Sequence, residues 1–185
     1  MRIAGRSGGT MQTPYKIQEK KANLVQIKVD ENFLKTLGIT LKQGRNFDKK
    51  FKSDASHSVL VNESLVKELG LKEPLGTKIT ADWDNSLKLQ IVGVYEDFHY
   101  ESLHRTIQPA MLYMRPSIHY SEIWVRVRPE SAGSTLKYLE KVWRKFEPFR
   151  PFDADFIEIL NRKQYEQEAR WQQITQPQAR LRFMP

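Results

Sequence analysis

Four side chains that could bind a metal ion or move protons lie close together in the middle of the sequence. They are Asp97, His99, Glu101 and His104. On a strand the first three would point to one face, whereas on a helix Glu101 and His104 would share a face. Because both geometries are open, the spacing is a weak indication of a metal site or a hydrolase centre. The preferred interpretation is a polar loop after a strand, in which Asp and His bond to backbone groups.

The sequence lacks the motifs on which many other catalytic sites are built. It contains no GxxxxGK[ST], GxGxxG or GxSxG pattern, so neither a phosphate-binding loop nor a nucleophile elbow is predicted. The chain has no cysteine, which excludes disulfides, thiolate metal sites and cysteine nucleophiles. We therefore predict that the protein is not an enzyme and has no catalytic, cofactor-binding or metal-binding residues.

Length and composition are typical of a folded domain. The 185 residues suffice for one large domain or two small lobes. Hydrophobic residues make up 39% and charged residues 28%, the balance of a globular protein. No run of about 18 apolar residues occurs, so no membrane-spanning helix is predicted. If the domain is exported, we expect the exporting segment to lie outside this sequence.

The formal net charge of +8 invites a nucleic-acid interpretation. However, the lysines and arginines are scattered among 22 acidic residues, and no basic run carries the interleaved aromatic residues of a stacking groove. We therefore predict no nucleic-acid partner. Attraction to anionic headgroups is at least as reasonable for a domain held near a bilayer.

Hydrophobic periodicity predicts strands and helices in mixed order. Strands are expected at 23–30, 58–62, 77–81, 87–95, 110–114, 122–128 and 152–159. Helices are expected at 31–37, at 63–69, at 162–174 and in a long segment ending at Phe146. Because strands and helices do not alternate strictly, the fold class is predicted to be α+β.

Capping residues and an apolar stripe support the helices. Asn62 is a predicted N-cap, Asp30 and Ser131 or Ser134 are further candidates, and Gly38 and Gly70 suit helix ends. The long helix has a predicted buried stripe, spaced by three and four residues: Leu136, Leu139, Val142, Trp143 and Phe146.

Four segments carry a resemblance to a known family: VDENFLKTLGITLKQGRNF, VLVNESLVKELGLKEPLGTKI, LQIVGVYEDFHYESLHRTIQPAMLYM and TLKYLEKVWRKFEPFRPFDADFIEILNRKQYEQEAR. In order and spacing they resemble the periplasmic core domain of MacB/FtsX-type ABC transporter permeases, and more closely the large Bacteroidetes group. The likeness covers about residues 23–174. The residues that carry it are Phe33, 37–39, Gly44, Arg45, Phe47, 61–63, 74–76, Gly93, 97–99, 102–104 and Pro109.

The resemblance implies a fold with two lobes. A split βαβ-type lobe would be formed by residues 23–43 and 109–174, and a smaller inserted mixed α/β lobe by residues 44–108. Residues 1–22 are predicted to be a flexible lead-in and residues 175–185 an unstructured tail.

The same resemblance implies a function without an active site or cofactor. The chain would be the periplasmic domain of an inner-membrane permease, coupling ATP-driven motion to export or to a periplasmic partner. Its partners would be an ABC ATPase reached through transmembrane helices, a second permease in a dimer, and a periplasmic adaptor or substrate. Both chain ends should emerge on one side, because such a domain must return its chain to the bilayer it left.

Two alternatives remain open from the residues alone. One is a stand-alone binding module for an acidic ligand or nucleic acid. The other is a hydrolase that uses Asp97, His99 and His104.

Overall fold

The computed structural model describes residues 2–4, 12–81, 87–99, 106–115 and 123–156. For residues 2–4 and Asp155 it describes the backbone alone. The helices are α1 (Phe33–Leu37), α2 (Glu63–Leu69) and α3 (Ala132–Phe146), with 3-10 turns at Lys52–Ala55 and Pro129–Ser131. The strands are β1 (Arg2–Ala4), β2 (Gln12–Ile17), β3 (Lys20–Lys28), β4 (Leu41–Gly44), β5 (Ser58–Asn62), β6 (Lys78–Ala81), β7 (Lys88–Tyr95), β8 (Ala110–Tyr113), β9 (Val125–Arg126) and β10 (Asp155–Phe156).

Seven strands form one sheet that closes on itself, called the barrel below. Their order is β4-β7-β5-β8-β3-β2-β6, and β6 pairs in turn with β7. β7 shares one edge between two neighbours: residues 88–90 pair with β6 and residues 93–95 pair with β4. Its other edge pairs with β5. Closure removes most of the free edges that an open sheet would present.

Alternation along the strands sends one set of side chains into the barrel. In β2, Tyr15 and Ile17 are buried, whereas Lys16 between them is exposed. α2 follows directly after β5 and adds Leu65 and Leu69 to the same core. The barrel interior is therefore a packed apolar core.

A second apolar cluster covers part of the outer face of the barrel. Leu34 of α1 packs in one cluster with Leu60 of β5 and Leu112 of β8. As a result β5 is buried on both faces. This explains why its residues are continuously apolar at the centre and do not alternate with polar ones.

β7 contains a bulge at Val92. Val59 of β5 pairs with Ile91, but the next residue of β5, Leu60, pairs with Gly93. The extra residue reverses the alternation, so that Val94 joins the barrel core.

The remaining strands form a three-stranded sheet in the order β10-β1-β9. Ile3 of β1 pairs antiparallel with Phe156 on one side and with Val125 on the other. β9 and β10 are therefore parallel, and α3, which joins them, packs through Ala132 and Leu136. Because β1 and β10 are antiparallel neighbours, the start of β1 and the end of β10 lie at the same end of the sheet. The prediction that both ends emerge on one side is confirmed for these two strands.

Most of the predicted elements are present, and the mixed fold class is confirmed. The flexible lead-in is wrong for residues 12–22, which form β2 and the start of β3, joined by a two-residue turn. The prediction rested on the lack of hydrophobic periodicity before residue 15, whereas pairing with β3 and β6 holds this segment as a strand.

The predicted domain boundaries at 43/44 and 108/109 do not follow the sheets. β3 and β8, assigned to the split lobe, pair with each other, and β8 also pairs with β5 of the predicted insertion. The two-lobe organisation stays a prediction, as does the tail at 175–185. The tail and the predicted helix at 162–174 lie outside the described residues.

The buried stripe predicted for the long helix, α3, is wrong at its carboxyl end. Leu136 and Leu139 of α3 pack with the three-stranded sheet, but Phe146 is 79% exposed. The strand predicted at 122–128 is reduced to Val125–Arg126, and Ile123 is 68% exposed. α3 has 15 residues, whereas β9 and β10 have two residues each, so the last turn of the helix extends past the sheet and Phe146 is left exposed.

Asn62 joins three elements at the end of β5, as its predicted capping role requires. Its side-chain oxygen accepts hydrogen bonds from the backbone N–H of Leu65, at 3.1 Å, and of Ala110, at 2.9 Å. Its amide nitrogen donates to the carbonyl of Gln108 at 2.9 Å. Only 1% of Asn62 is exposed, so water cannot replace these bonds.

Substituting Asn62→Ala should lower the free energy of unfolding by about 3 kcal/mol, because two buried N–H groups lose their acceptor. Urea unfolding followed by circular dichroism measures this. Asn23→Ala, at an exposed position of β3, is the matched control and should change stability by less than about 0.5 kcal/mol. Equal effects of the two substitutions would contradict the role given to Asn62.

Candidate functional site

The predicted ligand cluster around Asp97 does not form a reaction centre in the described residues. Asp97 accepts hydrogen bonds from the backbone N–H of Ser64 at 3.1 Å and from its hydroxyl at 2.7 Å. His99 is exposed, and Glu101 and His104 lie outside the described residues. The interpretation as a polar loop that bonds to backbone is confirmed for Asp97, which holds the start of α2.

Metal binding finds no support elsewhere in the described ranges. Within them, no three His, Asp or Glu side chains come together as a metal ion would require. The prediction of no metal-binding residues remains a prediction for the rest of the chain.

A buried ion pair is the strongest electrostatic feature of the described structure. The side chain of Asp54 is fully buried, and Arg45 donates to both its oxygens, at 2.6 and 2.8 Å. The backbone N–H of Asp48 donates to the same carboxylate at 2.9 Å. The Arg45 guanidinium also lies 4.2 Å from the centre of the Phe51 ring. The pair ties the loop after β4 to the turn before β5.

Burial by itself raises the pKa of Asp54, since it disfavours the charged form. The hydrogen bonds from Arg45, from the Asp48 backbone and from Ser58 outweigh that effect and hold the pKa below its ordinary value. Arg45 is committed to this carboxylate and also donates to the Asn46 carbonyl at 3.1 Å, so the pair acts as a structural clamp.

Two glycines allow β4 to approach β7 closely. Gly44 has a φ of 74°, and a Cβ there would collide with the carbonyl oxygen of Val92. A Cβ on Gly93 would come within 2.6 Å of the Arg45 carbonyl oxygen. The Val92 carbonyl, at the bulge, instead accepts a hydrogen bond from the Arg45 N–H at 3.0 Å.

The barrel meets the three-stranded sheet through an aromatic contact, called the junction below. Phe33 of α1 lies edge-on to Trp124, with ring centres 6.5 Å apart, just before β9. Phe33 also contacts Phe98 at 6.1 Å, and Phe98 contacts Tyr95 at 5.9 Å. A row of rings therefore connects β9 to the end of β7.

A second contact supports the junction from the end of α1. Gly38 ends α1 with a φ of 68°, and a Cβ there would come within 2.5 Å of the Arg126 guanidinium. Arg126 thus lies over the carboxyl end of α1, where a positive charge is favoured. The junction is the candidate functional site, because it is a contact by which the barrel meets the three-stranded sheet.

Sequence reasoning missed the junction. Trp124 and Arg126 were interpreted as alternate residues of a strand, and Phe33 as one residue of a helix face. Their meeting depends on contacts across about 90 residues of chain. The available signal was the large side chain of Trp124 and the charged side chain of Arg126 at the short strand β9.

A family model described as the MacB-like periplasmic core domain matches residues 2–141. No curated protein matches the chain. The match covers the barrel and most of α3, and it includes every residue of the junction.

Solved structures of several transporter and permease domains have a similar fold. The periplasmic region of MacB from Actinobacillus actinomycetemcomitans has a TM-score of 0.64 and 14% identity, covering 87% of this chain and 74% of that one. A domain assigned to a permease protein of Porphyromonas gingivalis has a TM-score of 0.57 and 20% identity, and the match covers 86% of this chain and 80% of that one. The extracellular domain of the noncanonic ABC-type transporter YknZ from Gram-positive bacteria has a TM-score of 0.59 and 12% identity. That match covers 80% of this chain and 76% of that one. At these identities they show the fold alone.

The Asp54 clamp should make the domain sensitive to acid. A depressed pKa contributes stability that is fully present above the unfolded-state value, about 4, and is lost as pH falls through the lower folded-state value. We expect Asp54→Asn to cost about 3 kcal/mol at pH 7 and progressively less below about pH 4. Urea unfolding from about pH 7 to pH 2 measures the difference, with the exposed Asp153→Asn as control. A difference that stays constant across this range would contradict the charged state of Asp54.

The junction should set the rigidity between the two sheets. The chain has no cysteine, so two introduced at Lys72 and Lys137 can carry spin labels without background. Trp124→Ala should broaden the distance distribution between the labels, because the contact with Phe33 is lost.

Trp143→Ala is the matched control for this experiment. Trp143 contacts Phe152 and donates to the Arg150 carbonyl, all within the segment from α3 to β10. It should leave the width of the distribution unchanged. An equally broad distribution in both variants would mean that the junction does not hold the sheets together.

Proposed function

Since the chain belongs to the MacB-like periplasmic core domain family, we propose that it passes ATP-driven motion of an ABC transporter to a periplasmic adaptor or substrate. The chain is the periplasmic domain of a MacB-like permease, and the proposal concerns what that domain does. One observation carries it: the strands that begin and end the described chain, β1 and β10, are hydrogen-bonded neighbours.

The pairing of β1 with β10 gives a route for force into the domain. Ile3 and Phe156 lie opposite each other, so membrane helices attached to both ends would pull on one sheet. Backbone hydrogen bonds across the pair resist shear between the ends. Motion that reaches β1 and β10 therefore moves the three-stranded sheet as one piece.

The junction continues this route into the barrel. β9 is hydrogen-bonded to β1, and Trp124 before it contacts Phe33 of α1. α1 in turn packs on the outer face of β5 and β8 through Leu34. A packed path of this kind supports transmission of a displacement, since close-packed interiors deform little.

The proposed partners follow from the same role. An ATPase subunit or domain would act through membrane helices, a second permease would complete a dimer, and an adaptor or substrate would meet the barrel. Catalysis is not proposed, because both oxygens of Asp97 are engaged at the start of α2.

Transmission can be tested in the full-length permease by hydrogen exchange. We expect vanadate trapping with ATP to change amide protection in segments 33–44 and 123–131, which carry the junction. A flexible Gly-Ser insertion directly after Phe156 should abolish that change while leaving the ATPase rate intact, because the route into β10 is interrupted.

The control is the same insertion at the two-residue turn between β2 and β3, at Gln18 and Glu19. This turn lies off the proposed route, so the nucleotide-dependent change should persist. If the change also persists with the insertion after Phe156, rigid transmission through β10 is excluded.

A further inference from the structure

α1 lacks the features that would hold so short a helix in place by itself. It has only five residues, and the side chain of its N-cap residue, Asn32, makes no capping hydrogen bond. Helices of this length are not stable in water without support from outside. Leu34 anchors the middle of α1 in the apolar cluster on the barrel. The position of its first turn, which carries Phe33 to Trp124, must therefore be set by further contacts.

The loop that follows β4, residues 45–49, supplies these contacts and is called the brace below. The side-chain amide of Asn46 donates to the backbone carbonyl of Glu31, directly before the N-cap of α1, at 2.9 Å. Lys49 forms an ion pair with the carboxylate of the same residue, whose side chain is only 20% exposed. Phe47, between them, is buried in the cluster that α1 joins on the outer face of the barrel. One loop therefore holds the start of α1 at three points.

The clamp keeps the brace itself in place. Arg45 donates to the backbone carbonyl of Asn46 at 3.1 Å, besides its two bonds to Asp54. The Asp54 carboxylate in turn accepts the backbone N–H of Asp48 at 2.9 Å. Each member of the ion pair thus also bonds to the backbone of the brace. Because the side chain of Asp54 is fully buried, breaking these bonds would leave a charge without solvent, so the brace is held firmly.

We propose that the brace positions the junction: it fixes the first turn of α1 through Glu31 and so determines where Phe33 meets Trp124. Asn46 is the positioning residue, because its amide joins the brace to the backbone before α1. The ion pair of Lys49 contributes less, since that side chain is 76% exposed. The inference goes beyond the transmission role, because the alignment of the two sheets is a property of the chain by itself.

The test uses the 185-residue chain with spin labels on cysteines introduced at Lys72 and Lys137, one beside the barrel and one on α3. Asn46→Ala should broaden the distance distribution between the labels by roughly half as much as Trp124→Ala does, since Phe47 keeps its place in the cluster. The double variant N46A/W124A should be no broader than Trp124→Ala alone, because both substitutions act on one contact.

Gln26→Ala is the matched control. The side-chain amide of Gln26 donates to the Thr13 hydroxyl at 2.6 Å, so this variant also loses a partly buried amide hydrogen bond, but one between β2 and β3. Thermal unfolding should show that Asn46→Ala and Gln26→Ala both remain folded, and only Asn46→Ala should broaden the distribution. Asn46→Asp, which keeps the size of the side chain and loses the N–H donor, should broaden it as well.

Three results would overturn the proposal. Equal broadening by Gln26→Ala would mean that the barrel loosens in general. An unchanged distribution in both variants of Asn46 would mean that α1 is held without the brace. Broadening by Asn46→Ala that adds to that of Trp124→Ala would mean that the brace acts on a different contact. None of these results bears on the hydrogen-exchange test in the full-length permease, so the two proposals can fail separately.

Discussion

β7 has to share one edge between β6 and β4, and the closure of the barrel depends on how it does so. The bulge at Val92 separates the two pairings and turns its carbonyl towards the Arg45 N–H. Gly44 and Gly93 lack the Cβ atoms that would prevent this approach. The constraint is steric: the backbones of β4 and β7 can approach only because these two residues have no side chain. That approach allows the hydrogen bond between Arg45 and Val92 to form.

The same strand also determines where the two sheets touch. Tyr95 ends β7, and its ring leads through Phe98 to Phe33 and from there to Trp124. The position of β7 therefore fixes the first ring of the junction. On the other side of the bulge, Arg45 continues from β4 into its bonds with Asp54. A change in the pairing of β7 would move both the clamp and the junction, which links the stability of the barrel to the placement of β9.

Local signals in the sequence predicted the elements that depend on local physics. Asn62 caps α2 as expected, and Gly38 ends α1 in the left-handed region because no Cβ opposes it. β2 was missed because its first residues show no hydrophobic periodicity, yet the strand is held by pairing with β3 and β6, which local patterns do not report. Closure of the barrel and the contact between Phe33 and Trp124 were equally invisible, since they join residues that are distant in the chain. For the junction, local signals predicted the elements that carry Phe33 and Trp124 but not their contact; the backbone-bonding role of Asp97, which was predicted, lies outside the junction.

The motifs that carry the family resemblance have structural explanations in this domain. Gly44 and Arg45 serve the closure and the clamp, Asn62 joins three elements, and Asp97 holds the start of α2. These residues therefore serve the fold, whatever further role they have. The pairing of β1 with β10 restricts what the connections can carry. A motion that separated the two chain ends would break backbone hydrogen bonds, whereas a motion of both ends together would move the sheet as a body and keep every bond. Under the proposed transmission role, the domain would follow a joint displacement of its two ends and resist their separation.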